Sequence, residues 1–379
     1  MKGTSPSRGC GGSRRQRELP MMEFPRFINA QRKGKSMSII TVGIDLAKNV
    51  FAMHGVNEFG KAELIKPRVA RDQLLKLIAK LPPCLIGMEA CSGAHHWARV
   101  FAQYGHTVRL IAPKFVVPYR LSGKRGKNDA ADAAAICEAV TRPNMRFVPI
   151  KDAHQQATLC LHRTRQGFVA ERTAAYNRLR GLISEFGVVL PQKIERLRRD
   201  IIAHLDALPA WTKRCAEDLL AHTRELDRRI DDYDKAISQS AREDARSRAL
   251  MQLPGIGPVS ASALLASIGI GHDFRNGRQV AAWIGLVPGQ YSSGGKARLG
   301  RITKAGDAYL RSLLVLGARS VLASLGDKQD RFSRWARDLV ERRGYWKAVI
   351  AIAAKNARQA WAVLHYGEDF RLTRNVVAA

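Results

Sequence analysis

The sequence predicts an N-terminal α/β domain, a helical middle region and a mainly helical C-terminal domain. Up to about residue 150, β-branched apolar runs alternate with segments of helical periodicity. The following hundred residues carry apolar positions at helical spacing among many charges, and the composition changes again at Leu253. The expected divisions of the 379 residues are a tail at 1–36, domains at 37–150, 151–250 and 251–365, and a tail at 366–379.

The composition indicates a folded protein with a polyanionic partner. Its 46% hydrophobic content is ample for packed cores. Lys and Arg number 63 against 33 Asp and Glu, and the net charge of +30 is spread through the chain. This excess favours nucleic acid as the partner, the plainer alternative being a basic solvated surface. No membrane partner is expected, because apolar runs such as Ala348–Ala354 are far shorter than the ~20 residues of a membrane helix.

The first 36 residues are rich in Gly, Ser, Pro and Arg and have no sustained periodicity. We expect a disordered basic tail, or a start codon assigned too early, with Met37 as the true first residue. A signal peptide is not expected, because no apolar segment follows the positive residues. The six cysteines form no Cys-x-x-Cys pair, so we expect reduced, mostly buried thiols in a cytoplasmic, nucleoid-associated protein.

The N-terminal domain begins with a predicted meander of three strands, in SIITVGIDL, VFAMHGV and KAELIKP. The next segment, RDQLLKLIAKL, has helical periodicity and is stopped by Pro82 and Pro83. A fourth strand in CLIGMEA, a helix in HHWARVFAQYG and a fifth strand in HTVRLIAP follow. Because strands alternate with helices, we expect a partly parallel sheet whose ligands gather at the carboxyl ends of its strands.

Four carboxylates are expected at one edge of this sheet. Asp45 should lie near the end of the first strand and Glu89 near the end of the fourth. Asp129 and Asp132 are three residues apart in KNDAADAAAICEA, so both should face the same way from one helix. Like charges this close need a cation between them, and oxygen-only ligands favour Mg²⁺ or Mn²⁺ over zinc. The pattern predicts two-metal phosphodiester chemistry, although each acid alone is more typical of a surface or capping residue.

A histidine pair and an apolar seam in the middle region each have both a functional and a structural interpretation. His95 and His96 are candidate extra ligands, but a histidine pair at a helix start is more often structural. The middle region has an apolar seam that needs a partner helix, and we expect an antiparallel helical arm or an intermolecular coiled coil. The first members of this seam are Leu179, Leu182, Ile183 and Phe186.

The C-terminal domain contains two candidate DNA contacts. LPGIGPVSASALLASIG has the glycine turn and small-residue helix of a helix-hairpin-helix element, in which turn amides face phosphate, although it can also be an ordinary helix-joining turn. The second is a flexible loop containing Ser292 and Ser293, followed by two glycines and surrounded by Lys and Arg. A serine in such a loop is able to attack a phosphate, and its plainer interpretation is a turn residue.

Four motifs in this order are collectively specific: GIDLAK, MEACSGAHHWAR, KNDAADAAAICEA and GLVPGQYSSGGKARLGRITKAGDAYLR. They make the chain resemble the DEDD transposases of the insertion-sequence-110 family, whose relatives include the pilin-gene invertase. The resemblance runs from about Met37 to about Leu364.

The resemblance implies a RuvC-like domain of ribonuclease H fold at residues 37–150, in which the four acids named above bind Mg²⁺. It also implies a nucleophilic serine that becomes joined to DNA and matches Ser293 best, with Ser292 as the neighbouring alternative. The family's acids and serine form a composite site between subunits, so we expect a dimer or tetramer. A non-coding guide RNA of the element, the bridge RNA, would pair with both donor and target DNA.

Two alternative functions make different predictions. A junction-resolving nuclease would use the four acids and water, produce hydrolysed ends and be indifferent to Ser293→Ala. A non-catalytic nucleic-acid-binding protein would have a structural acidic cluster, and Asp132→Ala would leave DNA processing unaffected. The joint motif match favours the recombinase over both.

Overall fold

The computed structural model describes residues 39–120, 128–368 and 370. The predicted basic tail at 1–36, the possible start at Met37 and most of the predicted tail at 366–379 lie outside this part of the chain. Three successive groups of elements follow the sequence: a mixed α/β sheet domain, an antiparallel pair of long helices, and a mostly helical C-terminal region.

The N-terminal domain is a six-stranded mixed sheet with helices. Its strands are β1 (Ile39–Asp45), β2 (Val50–Asn57), β3 (Ala62–Ala70), β4 (Leu85–Glu89), β5 (Thr107–Ile111) and β6 (Phe147–Val148). Its helices are α1 (Arg71–Ile78), α2 (Ala94–Gln103), α3 (Pro113–Val116) and α4 (Asp129–Val140). The spatial order is β3-β2-β1-β4-β5-β6, with β1, β4 and β5 mutually parallel and the other pairs antiparallel. The predicted partly parallel sheet is confirmed, while β6 was missed because it is only two residues long.

Two strand glycines allow α4 to lie directly on the centre of this sheet. A Cβ built at Gly43 would lie 2.2 Å from the carbonyl oxygen of Ala133, and one built at Gly87 would lie 2.8 Å from the Cβ of Val140. Real Cβ atoms do not approach a backbone oxygen this closely, so Gly43 in β1 is required for the contact. The many alanines of α4 have small side chains, which likewise allow the helix to approach the sheet closely. The first turn of α4 is thereby held over the carboxyl ends of β1 and β4.

The middle region is built from four helices. They are α5 (Ala153–Ser184), α6 (Ile194–Asp200), α7 (Ile202–Leu205) and α8 (Ala210–Glu243). Arg165 donates from Nε and Nη2 to both carboxylate oxygens of Asp234, at 2.5 and 2.9 Å, and Arg172 donates to Asp227 at 2.7 Å. Because the later residue of α5 pairs with the earlier residue of α8, the two long helices run antiparallel within one chain.

The predicted seam of α5 is correct at two positions and wrong at two. Leu179 and Ile183 are fully buried in the helical arm. Leu182 and Phe186 are 42% and 46% exposed. Leu182 lies on a face of α5 that its partner helices do not cover, and Phe186 lies beyond the end of the helix at Ser184.

The C-terminal region is mostly helical and contains one hairpin. Its elements are α9 (Ala245–Met251), α10 (Pro258–Ile268), α11 (Gly277–Ile284), β7 (Pro288–Gln290), β8 (Leu299–Ile302), α12 (Ala308–Ala323), α13 (Arg331–Arg343) and α14 (Tyr345–Tyr366). Its core includes Leu264, Leu314 and Ile352, from α10, α12 and α14. The antiparallel hairpin of β7 and β8 stands where the sequence indicated a flexible loop.

Two predictions from composition have different outcomes. The five described cysteines are unpaired, but only Cys84 and Cys137 are buried, so the expectation of mostly buried thiols is wrong for this set. Cys10 lies outside the described residues. Among the helices formed by described residues, none is both long enough and apolar enough to cross a membrane.

Candidate active site

Two acids lie side by side because their strands are parallel neighbours. Asp45 is the last residue of β1 and Glu89 is the last residue of β4. The register pairs Ile44 with Met88, so the next residue of each strand is one of these acids. Both are half-buried at the carboxyl edge of the sheet. The structure therefore places this pair where the sequence predicted it.

The other two acids are in the first turn of α4. The side chain of Asn128 caps this helix by accepting a hydrogen bond from the amide of Ala131 at 2.8 Å. Asp132 is 5% exposed, whereas Asp129 is exposed at the rim. A helix N-terminus carries partial positive charge, so it stabilises carboxylates in this turn.

The four acids influence one another electrostatically. Burial first, and then the negative charges of Asp132, Asp129 and Glu89 in that order, raise the pKa of Asp45 to about 6. Arg120 opposes them by lowering the pKa of the same carboxyl. The four predicted acids are therefore gathered at one place, where they repel a further negative charge and favour a cation.

Arg120 is the cation that contacts this cluster. Its Nε lies 2.6 Å from Oδ1 of Asp132, and its Nη2 lies 3.9 Å from Oε1 of Glu89. The side chains of Arg120 and Asp132 are 17% and 6% exposed, so this ion pair is shielded from water. Arg120 was not predicted as a site residue. Its position shortly before Asp129 and Asp132 is the one feature of the sequence that indicates it.

The four carboxylates are suitable ligands for a divalent ion in their chemistry, but their present arrangement is not that of a metal site. Four carboxylates offer only hard oxygen donors, which is the set preferred by Mg²⁺ and Mn²⁺. Beside the effect of burial, the three acids that raise the pKa of Asp45 outweigh Arg120, which lowers it. Yet among the residues described, no three His, Cys, Asp or Glu side chains are gathered as ligands of one ion. Arg120 lies against two of the four acids, so ion binding requires these side chains to rearrange.

The histidines beside the acids have structural contacts. Nδ1 of His95 accepts a hydrogen bond from the backbone amide of Lys151 at 3.2 Å. Burial, together with the charges of Lys151, Arg99 and Arg163, lowers the pKa of His95 to about 4. His96 packs its ring edge-on against Trp97, with centroids 5.2 Å apart. These contacts fit the structural interpretation of the pair.

The two serines of the hairpin have different surroundings. Oγ of Ser292 accepts hydrogen bonds from the Arg298 amide at 3.1 Å and from Nε2 of Gln290 at 2.9 Å, which tie it into the hairpin. Ser293 begins the turn, and its carbonyl accepts from the amide of Lys296 at 3.1 Å. Within the described part of the chain, the Ser293 hydroxyl makes no hydrogen bond. Both serines are exposed, and of the two hydroxyls that of Ser293 is the one not engaged in these hydrogen bonds.

Glycines shape both ends of the hairpin. Gly294 and Gly295 at its tip have φ of 55° and 75°, as a two-residue hairpin turn requires. At its base, a Cβ built at Gly285 would lie 2.2 Å from the carbonyl oxygen of Ala305, and one at Gly306 would lie 1.9 Å from that of Trp283. The base is therefore fixed by close backbone contact, whereas nothing lies within 4 Å of the Cβ positions at the tip.

The hairpin and the acidic cluster are separate in one chain. Tyr291 to Arg301 are all exposed and include Lys296, Arg298 and Arg301. Among the residues that the structure describes, no hydrogen bond or ion pair joins this hairpin to Asp45, Asp129 or Asp132. The structure brings the four acids together without a bonded contact from Ser293 to these three.

Both parts of the candidate site fall within matched families. Residues 247–334 match the model described as Transposase IS116/IS110/IS902 family, and residues 42–187 match the transposase model of the IS110 DEDD type. A protein of Pseudomonas aeruginosa named "Probable family 20 transposase" is 45% identical over 333 residues, covering 86% of this chain and 97% of the relative. The chain belongs to the IS110 family of transposases.

Other relatives of this transposase agree with that assignment. The "Transposase for insertion sequence element IS1111A" of Coxiella burnetii is 38% identical over 356 residues, with 93% of this chain and 97% of the relative covered. The "Pilin gene-inverting protein" of Moraxella lacunata is 25% identical over 359 residues, with coverage of 88% and 98%. The resemblance inferred from the motifs is confirmed, including its more distant part.

Family membership fixes the coarse features of the transposase. It is an insertion-sequence transposase that acts on DNA, its DEDD domain implies a RuvC-like fold, and such transposases typically use divalent metal ions. The match over residues 42–187 includes all four acids, and the match over residues 247–334 includes Ser293.

Proposed function

We propose that this transposase exchanges DNA strands through attack of Ser293 on a phosphodiester, with Asp45, Glu89, Asp129 and Asp132 holding divalent ions, Mg²⁺ first among them. The observation that carries the proposal is the contrast between the two halves. The acids form an incompletely neutralised cluster, of which Asp132 is buried and Asp45 and Glu89 are half-buried, while the Ser293 hydroxyl stands exposed on a basic hairpin.

The chemical step is a transfer of the phosphoryl group to serine. Oγ of Ser293 forms a bond to phosphorus, the bond from phosphorus to one strand oxygen breaks, and the serine proton leaves as that oxygen gains one. Asp45, Glu89, Asp129 and Asp132 would hold the divalent ion, which when bound would polarise the phosphate and stabilise the developing oxyanions. Lys296 and Arg298 beside the serine attract the DNA backbone. Since the phosphoserine diester keeps the energy of the broken bond, a hydroxyl from another strand can reverse the step and complete exchange.

The separation of the two halves supports a composite site between subunits. We propose that the acids of one subunit meet the serine of another within a dimer or tetramer. The basic surface of the chain would bind donor and target DNA, and, as the family resemblance implies, an element-encoded bridge RNA whose base pairing selects both sequences. In such a division of labour the protein binds backbones while pairing reads sequence.

The glycine turn before α10 is proposed as a further contact with the DNA backbone, of helix-hairpin-helix type. Gly255 in this turn has φ of 81°, and a Cβ at Gly317 of α12 would lie 1.9 Å from its carbonyl oxygen. Close backbone contact with α12 therefore fixes the turn. A cavity of about 690 Å³ opens beside it and includes Gly257, Ser260 and Lys328 in its wall.

The test is a search for protein-linked DNA. Purified transposase is incubated with Mg²⁺, RNA from the flanking noncoding DNA, and labelled donor and target, then separated on a denaturing gel. We expect an adduct in the wild type and in Ser292→Ala, and none in Ser293→Ala or Asp132→Ala. Free hydrolysed ends that are unchanged by either serine substitution would favour the resolving nuclease instead. DNA processing that survives Asp132→Ala would favour a structural acidic cluster.

Mixed assemblies test the composite site. Subunits carrying Asp132→Asn are combined with subunits carrying Ser293→Ala, each inactive alone. If acids and serine come from different subunits, random mixing of equal amounts restores roughly a quarter of the sites. If the acids and the serine come from one subunit, the mixture of the two variants stays inactive. As a control, each variant is mixed with wild type, and strand exchange by these mixtures shows that assembly itself is intact.

A further inference from the structure

The corner between α13 and α14 presents aromatic rings to solvent. Gly344 joins the two helices with φ of 80°, and residues 341–347 are all exposed. Trp346 is 65% exposed and Tyr345 is 41% exposed. Their rings meet edge to face, with centroids 5.2 Å apart and planes at 80°. Large aromatic surface that the fold leaves in water is typical of a binding surface.

Cations surround these rings. The guanidinium carbon of Arg319, from α12, lies 5.8 Å from the centroid of the Trp346 ring. Arg342, Arg343 and Lys347 are exposed in the same seven-residue stretch, in which the only acid is Glu341. An open ring beside a cation offers stacking and charge to the same ligand.

This combination fits nucleic acid whose bases are unpaired. Phosphates pair with the cations, and a base stacks on an aromatic ring only where its face is free, as in a single strand. In a duplex the base faces are covered by their neighbours, so Trp346 would gain nothing from them. We propose that the corner, defined as Arg319, Arg342, Arg343, Tyr345, Trp346 and Lys347, binds single-stranded DNA. This surface is distinct from both the acids and Ser293, so it does not depend on the serine mechanism.

The test is fluorescence anisotropy with a labelled thymidine oligonucleotide and a duplex of the same length. Trp346→Ala is expected to weaken binding to the single strand about tenfold, and Trp346→Phe, which keeps a ring, to retain most of it. Duplex binding should not change. The matched control is Phe59→Ala, because Phe59 is an 85% exposed ring that has an acid, Glu58, as its neighbour.

Three outcomes would overturn the proposal. One is single-strand binding that does not depend on Trp346, or that falls equally in Phe59→Ala. Another is a loss confined to the same sequence made as RNA, which would assign the corner to RNA. The third is unchanged DNA binding with a smaller sedimenting mass for Trp346→Ala, which would make the corner a contact between copies of the chain.

A second inference comes from the buried ion pair of the acidic cluster. Nε of Arg120 lies 2.6 Å from Asp132, its Nη2 faces Glu89 at 3.9 Å, and the pair is almost fully shielded. A guanidinium and a divalent ion compete for these oxygens, because two cations within a few ångströms of each other repel. We infer that Arg120 is an internal counter-ion that a divalent ion must displace. This inference rests on the acids being the metal site.

Metal binding, measured without any DNA reaction, tests it. Free Mn²⁺ is titrated by electron paramagnetic resonance into wild type, Arg120→Ala, Arg120→Lys and Arg142→Ala. Arg120→Ala is expected to bind Mn²⁺ about tenfold more tightly, with Arg120→Lys between it and wild type. Arg142→Ala removes the same charge from the exposed pair with Glu138 at the other end of α4, so its affinity should match wild type.

The two possible failures are distinguishable. If Arg120→Ala binds Mn²⁺ no more tightly than Arg142→Ala, or more weakly, the counter-ion role is wrong while the metal site stands. If Asp132→Asn binds Mn²⁺ as wild type does, the acids are not the metal site and the proposed function itself fails. Circular dichroism of each variant shows whether the fold is retained, and Arg120→Lys replaces Arg120→Ala if the latter unfolds.

Discussion

The acidic cluster and the serine hairpin are built in opposite ways. The acids stand on adjacent parallel strands and on a helix that two glycines hold against the sheet, so their positions follow from the core. The hairpin is fixed at its base, and nothing lies within 4 Å of the Cβ positions of the two glycines at its tip. The acidic cluster is thus assembled by folding alone. The serine hairpin is presented outward, exposed to solvent.

The largest expected effect is that of a substitution in the acidic cluster. Asp132→Asn keeps the size of the side chain but removes its charge from the cluster and its ion pair with Arg120. We expect strand transfer to fall on the order of a thousandfold, because in the proposed mechanism Asp132 is a ligand of the divalent ion that stabilises the transition state. Product is quantified per folded protein, and DNA affinity should remain near that of wild type. Strand transfer within tenfold of wild type would show that Asp132 is not essential.

The second effect compares glycines of the two regions. Gly43→Ala is expected to lower the free energy of unfolding by about 3 kcal/mol or more, because its Cβ would meet the backbone of α4. Gly294→Ala, which has open space but φ of 55°, should cost only about 1 kcal/mol. Chemical denaturation measures both. Equal losses would contradict the contrast between a packed site and a free tip.

The third effect is pH-dependent stability at Asp45, whose pKa is raised to about 6. A raised pKa means that ionisation opposes folding, so this destabilisation is complete above about pH 6 and absent below the unfolded value of 3.8. In chelator at pH 7.5, Asp45→Asn should raise the free energy of unfolding by about 1 kcal/mol, allowing for partial solvent screening. The gain should shrink between pH 6 and pH 4. A gain that does not vary with pH would have another cause.

The smallest effect concerns the neighbouring serine. Ser292→Ala removes the acceptor of two hydrogen bonds in an exposed hairpin, and should cost about 0.5–1 kcal/mol with the DNA adduct retained. Amide exchange of Arg298 reports the lost bond. If Ser292→Ala abolished the adduct while Ser293→Ala kept it, the roles of the two serines would be reversed.

The acidic half was predictable from sequence for a local reason. Asp45 and Glu89 each end a short apolar run, and the alternation of strands with helices implies that parallel strand ends share an edge. Asp129 and Asp132 follow from helical spacing alone. The contact of Arg120 was not predictable, because it depends on how the segment that follows α3 is placed against the ends of β4 and α4.

The sequence predicted the turn of the hairpin but not its two strands. Its two glycines marked a turn, but β7 and β8 are three and four residues long, and a strand of that length carries too few alternations to be recognised. The difference between Ser292 and Ser293 depends on hydrogen bonds across the hairpin, which adjacent residues of like chemistry cannot reveal.

The antiparallel arm has a consequence for how such transposases can vary. The 32 residues of α5 extend about 48 Å, and α8 returns along the same path to the junction where Arg165 pairs with Asp234. Adding or deleting matched turns in both helices would change the reach of the arm and leave the junction untouched. The length of the arm is therefore free to change in evolution without a change in either domain.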